Sequence, residues 1–132
     1  EMPEAETPEV SASEVRLDGT ALVLEDNMII AMDAHGILEE LGARSVHVAS
    51  RVSDGLRILD QHPIAFALID VNLGDELSLA VAERCAEMGI PSLLATGYGA
   101  SEDIVQKFPP MPILRKPYSD QDVRRAVADL LR

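Results

Sequence analysis

A single cysteine, Cys85, is all the thiol this chain has, so no intramolecular disulfide can form. Basic residues are scarce: 11 lysines and arginines stand against 23 acids, a formal net charge of −12. Phosphate binding needs clustered Lys and Arg, so neither nucleic acid nor an anionic membrane surface is expected as a direct partner. No apolar run approaches the ~20 residues that cross a bilayer. The first residues are acidic and contain proline where a secretory signal would be basic and then apolar. The cytoplasm is therefore the default location. The three histidines, His35, His47 and His62, are scattered, with no metal-ligand spacing, which argues for structural or surface roles. There is no internal repeat and, beyond the first residues, no low-complexity stretch.

What is present is apolar sequence in short runs. Of 132 residues 47% are hydrophobic, enough for one domain with a sizeable core. The excess acid serves solubility. Residues 1–18 differ from the rest: six acids, one base, Pro3 and Pro8, and almost no large apolar side chain. Such a segment buries too little to offset its ordering entropy and is expected to be a disordered leader or linker, with the folded domain over 19–132. The chain starts at Glu1, which suggests a piece cut from a longer protein.

The run Ala65-Phe66-Ala67-Leu68-Ile69-Asp70 stops at an acid and reads as a strand buried on both faces of a parallel sheet. Residues 20–25 have the same form and end in Glu25-Asp26. Pro91 opens a run that ends in Thr96-Gly97, residues 112–115 end in Lys116-Pro117, and residues 45–50 supply a fifth strand. Between them lie helical patterns. Asn27 to Leu41 carries Ile30, Ala34, Ile37, Leu38 and Leu41 on one stripe, closed by Gly42. Ser53 to Gln61 is expected to be capped by Ser53, with Leu56 and Leu59 inward. Val71 to Glu76 reads as a loop. Ser78 to Met88 turns Val81 and Cys85 inward, and a short helix follows Ser101 with Ile104 and Val105 inward. The last begins after Ser119, paired with Asp122 in a capping box. Met28, Ile29 and Met32 fall off the first stripe, either as the flank of a wide apolar face or as a contact surface. The order βαβαβαβαβα, with right-handed crossovers, predicts an α/β fold: a doubly wound, flavodoxin-like parallel sheet of five strands in the order 2-1-3-4-5.

Such sheets bind ligands beyond the carboxyl ends of their strands. There this chain would gather Glu25, Asp26, Asp70, Thr96 and Lys116. Three close carboxylates repel one another, and a hard cation such as Mg²⁺ or Mn²⁺ resolves the repulsion. Lys116 offers a point positive charge to a phosphoryl oxygen, Thr96 offers a hydroxyl, and Asp70 is placed as a nucleophile that would form an aspartyl phosphate.

These residues, each at the end of its own strand, resemble the receiver domains of two-component response regulators, over residues 19 to 132. The resemblance implies that Asp70 accepts a phosphoryl group from the phosphohistidine of a histidine kinase or a histidine phosphotransfer protein. It implies that Asp26, Asp70 and the backbone carbonyl of Asn72 bind the metal, with Glu25 acting through water, and that the Lys116-Pro117 peptide is cis. It implies a signalling module whose output is contact with a downstream protein, a homodimer remaining open. The chain would act on its own phosphoryl group and on no external metabolite. Ile113 stands where the family usually has an aromatic switch residue. The end of the fourth strand, Leu94-Ala95-Thr96-Gly97-Tyr98, is similar to a subset reading Phe-Ala-Thr-Gly-x-Tyr, in which Tyr98 would take over part of the switching and shield the phosphoryl group. The alternatives are an interaction module that works without phosphorylation and a phosphatase passing through an aspartyl phosphate. The second lacks its general acid, since Asn72 stands two residues after Asp70.

Overall fold

The structure, a computed structural model, describes residues 17–97 and 102–131. Ten elements build the sheet and its cover. They are β1 (Gly19–Leu24), α1 (Met28–Glu40), β2 (Ala43–Ala49), α2 (Val52–Gln61), β3 (Phe66–Asp70), α3 (Leu79–Glu87), β4 (Ser92–Thr96), α4 (Glu102–Val105), β5 (Ile113–Arg115) and α5 (Asp120–Leu131). The sheet order is β2-β1-β3-β4-β5, every pair parallel, as the alternation of elements predicts. After β3 the expected loop is instead a small antiparallel hairpin, Asn72–Leu73 against Glu76–Leu77, turned by Gly74 at φ 63°.

Successive strand residues point to opposite faces, and the core divides accordingly. From β1 and β3, Leu22, Leu24, Ala67 and Ile69 pack on one face with Leu59 of α2 and Val81, Ala82 and Cys85 of α3. Ala21, Val23, Phe66 and Leu68 pack on the other with Ala31, Ala34, Ile37 and Leu38 of α1 and Val123 and Val127 of α5. All five residues of β3 are buried, the signature of a central parallel strand.

Helix ends follow local chemistry. The Asn27 side chain accepts the backbone N–H groups of Ile29 and Ile30 at 3.0 and 3.2 Å, and so starts α1. Gly42, at φ 114°, takes a backbone conformation open to glycine just past its end. Ser119 and Asp122 cap α5 reciprocally, each backbone N–H donating to the other's side chain, at 2.9 and 3.1 Å. The Ser119 backbone N–H, and after it the Ser119 hydroxyl, hold the Asp122 carboxyl below its usual pKa.

Several local expectations are corrected. Ser53 does not cap α2: the helix begins one residue earlier, with Arg51 at the cap position and no side-chain cap bond. Its first N–H, of Val52, donates instead to the Glu76 carboxylate of the hairpin, 3.3 Å away. In α1 the fully buried place goes to Ala31, and Ile30 is only half-buried. Met28, Ile29 and Met32 are 56, 77 and 55% exposed, so they are not the covered flank of an apolar face. Leu17, which the composition assigns to the leader, is buried and donates its backbone N–H to the Leu41 carbonyl at 2.8 Å. Residues 1–16 of the leader lie outside the described residues, as do Tyr98 and Ser101.

Candidate functional site

Strand register alone assembles the site. Leu24 of β1 pairs with Ile69 of β3, so Glu25 and Asp70, the next residue of each chain segment, arrive side by side. Asp70 pairs with Ala95 of β4, and Thr96 pairs with Arg115 of β5, which puts Lys116 one step beyond on the same rim.

Lys116 is the centre of the arrangement. Its Nζ donates to Glu25 Oε1 at 2.7 Å and to Asp70 Oδ2 at 2.8 Å. The other Glu25 oxygen accepts the Asn27 backbone N–H at 3.0 Å. Glu25 and Asp70 are 3% and 6% exposed, while Asp26 is open to solvent. Burial pushes the Glu25 carboxyl up to about 6, and the Asp70 charge adds to that against the pull of Lys116 and the Asn27 N–H. Burial also works against the Lys116 ammonium. The hydrogen bonds and charges of Asp70 and Glu25 outweigh it, and the Lys116 pKa stands above its usual value. The Lys116-Pro117 peptide is cis. Tyr118, next in the chain, is half-buried, and burial together with the nearby Glu25 charge pushes its phenol up to about 12.

One oxygen from each of Glu25, Asp26 and Asp70 lies within 4.8 Å of the others. These are hard anionic donors on one solvent-reaching rim, which suits a divalent cation that keeps part of its water, Mg²⁺ or Mn²⁺. Sequence reasoning gave Glu25 a role through water; its carboxylate reaches into this cluster, held there by Lys116 and Asn27. Gly74 of the hairpin faces Asp26: a Cβ at Gly74 would sit 3.7 Å from Asp26 Oδ2.

The acids line a pocket of about 680 Å³. Asn72 and Gly74 border it on the hairpin side. It is also lined by Ile30, Asp33 and Ile37 of α1 and by Pro117, Tyr118 and Asp120 of the β5–α5 connection. Asp33, Tyr118 and Gly74 were not singled out from sequence. The signal for α1 was present: Asn27, Ile30, Asp33 and Ile37 recur at three- or four-residue spacing and so share one edge of the helix.

Thr96 and Ile113 do not line this pocket. They share a separate cavity of about 170 Å³ with Glu102, Val105 and Gln106 of the α4 region. The Thr96 side chain is buried, and its hydroxyl has no hydrogen-bond partner among the described residues. Ile113 is 46% exposed. His47 and His62 stack, ring centroids 4.4 Å apart, away from the acids. Cys85 is fully buried, and burial raises its thiol to about 11, so it serves as a small core residue.

No protein-family model and no curated protein matches the chain. Solved structures do. SdrG from Sphingomonas melonis Fr1 is 35% identical with a TM-score of 0.75, over 88% of this chain and 98% of that one. The receiver domain of the response regulator PhyR from Erythrobacter litoralis is 19% identical with a TM-score of 0.76, over 86% and 90%. A CheY-like response regulator receiver domain protein from Methanospirillum hungatei JF-1 is 23% identical with a TM-score of 0.73, over 87% and 94%.

Proposed function

The chain belongs to the receiver domains of two-component response regulators, and on that premise we propose that Asp70 is the phosphoacceptor of a phosphorelay. The observation that carries this reading is the double contact of Lys116 with Asp70 and Glu25, on the rim where Asp26 is also presented.

In the step proposed, an Asp70 carboxylate oxygen attacks the phosphorus of a phosphohistidine on a histidine kinase or histidine phosphotransfer protein. The P–O bond forms as the P–N bond breaks, and the electron pair stays on the ring nitrogen. The ring leaves neutral, keeping the proton on its other nitrogen. Lys116 exchanges its bond to Asp70 for one to a phosphoryl oxygen. Glu25, Asp26, Asp70 and the Asn72 carbonyl would hold Mg²⁺ or Mn²⁺, which when bound supplies positive charge against the oxygens being transferred. Hydrolysis returns the carboxylate when water attacks the same phosphorus. The chain thus turns over only its own phosphoryl group.

The output is a change of surface. The Thr96 hydroxyl, without a partner among the described residues, has reason to turn toward a phosphoryl oxygen, because a buried hydroxyl without a partner is costly. That turn would alter the cavity it shares with Ile113 and α4, and with it the α4–β5–α5 face offered to a downstream protein. Tyr98 is assigned the shielding of the phosphoryl group; Tyr98→Ala would then shorten its lifetime. A cytoplasmic location fits this role, and among the described residues no helix is long and apolar enough to cross a membrane.

Intact mass after incubation with acetyl phosphate and Mg²⁺, on wild type and Asp70→Asn, tests the reading. The expected result is one phosphoryl adduct that needs the metal and disappears in the variant. Mg²⁺ binding without an adduct, from acetyl phosphate or from a kinase, would favour an interaction module that works without phosphorylation. Ile113, in place of the usual aromatic residue, is the observation on that side.

A further inference from the structure

Ser78 and Ser92 are both buried, and each donates its hydroxyl to a backbone carbonyl. Ser92 opens β4 and donates to Ile90 at 2.9 Å, three residues before the Ala95 that pairs with Asp70. Ser78 works next to the acids. It donates twice to the carbonyl of Val71, the residue after Asp70: through its backbone N–H at 3.1 Å and through Oγ at 3.2 Å. Its place in the chain calls for something else. Ser78 is the cap residue of α3, where a serine hydroxyl usually accepts a backbone N–H of the first turn, and it makes no such bond. The hydroxyl is turned back onto the strand end instead. Val71 is thereby held on both sides, since its own N–H donates to the Ala95 carbonyl at 2.9 Å. The planar peptide unit that leads from Val71 into Asn72 cannot turn without breaking both Ser78 bonds. Beyond Asn72, Leu73 is packed into the core and the hairpin pairs Asn72 with Leu77.

We propose that Ser78 is a positioning residue for the metal: by clamping the Val71 carbonyl it fixes the backbone at Asn72, and so makes the site select Mg²⁺ over Ca²⁺. The inference rests on the proposed metal site, with the Asn72 carbonyl as a ligand beside Glu25, Asp26 and Asp70. Selectivity follows from how much looseness each ion accepts. Mg²⁺ needs near-ideal octahedral geometry at ~2.0–2.1 Å, whereas Ca²⁺ takes more oxygens, at ~2.3–2.6 Å, in flexible arrangements. A carboxylate can follow either ion by turning about its side-chain bonds. A backbone carbonyl moves only with the chain. Held still, it favours the ion with strict demands; released, it serves the tolerant ion nearly as well and the strict one poorly.

The test titrates Mg²⁺ and Ca²⁺ separately into the full chain and reads both dissociation constants by calorimetry, with no phosphodonor present. Ser78→Ala is expected to weaken Mg²⁺ about tenfold, as loss of a hydrogen bond behind a metal ligand does, and Ca²⁺ by much less. The variant folds, because the Val71 carbonyl keeps the backbone N–H of position 78 and no buried polar atom is orphaned. Ser92→Ala is the control. It also removes a buried hydroxyl bonded to a carbonyl, and both variants should lower the melting temperature by roughly 5 °C. Only Ser78→Ala should shift the ratio of the two dissociation constants. Ser78→Cys, nearly isosteric and a weaker donor, should fall between wild type and Ser78→Ala, and carries the test should Ser78→Ala not fold. A ratio unchanged in the Ser78 variants, or shifted equally in Ser92→Ala, overturns the role of Ser78 and leaves the metal site standing. A wild type that takes up no Mg²⁺ overturns the metal site itself, and the role of Ser78 falls with it.

Discussion

Lys116 Nζ and Glu25 Oε1 stand 2.7 Å apart, a bond between residues 91 positions apart in the chain. The same ammonium holds Asp70, so one cation separates two buried carboxylates. Lys116→Met keeps much of the apolar stem and removes the charge. It should cost on the order of 2–3 kcal/mol at pH 8, where Glu25 is ionised. At pH 5 the loss should be smaller, because Glu25 then carries a proton. Urea unfolding at the two pH values, without metal, measures the difference; an equal loss at both would mean that the contact is not ionic.

Glu25 itself gives stability a slope. Its folded pKa of about 6 stands above the ordinary 4.5, chiefly through burial. Between those values the folded state keeps a proton that the unfolded state has lost. Stability therefore falls as pH rises through that window, by on the order of 1–2 kcal/mol. The difference in unfolding free energy between wild type and Glu25→Gln, followed from pH 4 to 8 in chelator, should fall through the window and then level off.

Metal should reverse that loss near neutral pH. At a hundred times its dissociation constant, a ligand bound only by the folded state adds about 2.7 kcal/mol. Mg²⁺ should raise the melting temperature of wild type and do far less for Asp26→Asn. Because Asp26 is solvent-exposed, the variant without metal should melt close to wild type. An undiminished Mg²⁺ effect in Asp26→Asn would remove Asp26 from the metal site.

Thr96→Val separates stability from signalling. The hydroxyl is buried and makes no bond among the described residues, so an isosteric methyl should change the unfolding free energy by less than about 0.5 kcal/mol. The phosphorylation-linked change at α4 should disappear, as read by amide chemical shifts of Glu102–Val105 with and without the phosphoryl group. A shift pattern like that of wild type would show that Thr96 does not couple the two.

The sheet was legible because its strands are short apolar runs, each ending in a polar residue. The stretch 66–70 is buried throughout, as its composition demands. The same endings exposed the site, since residues one step beyond paired strand ends must meet. Contacts between elements distant in sequence were not legible. Nothing around Val52 says that its N–H will find Glu76, so Ser53 looked like the cap. Nothing in Pro117-Tyr118-Ser119-Asp120 says that it faces α1 across a pocket. Met28, Ile29 and Met32 have the apolarity of a buried flank, and only the placement of α1 shows them exposed.

The residues of the rim come from separate strands, with Asp70 and Lys116 46 positions apart and Glu25 farther still. No contiguous fragment short of nearly the whole domain contains them all. A chain emerging from the ribosome carries both buried acids long before the ammonium that holds them together. Until the last strand is added at the sheet's edge, the rim has repulsion without its counterweight. On the proposed reading, competence to receive a phosphoryl group would be a readout of completed folding: a truncated or half-docked chain would lack the assembled rim.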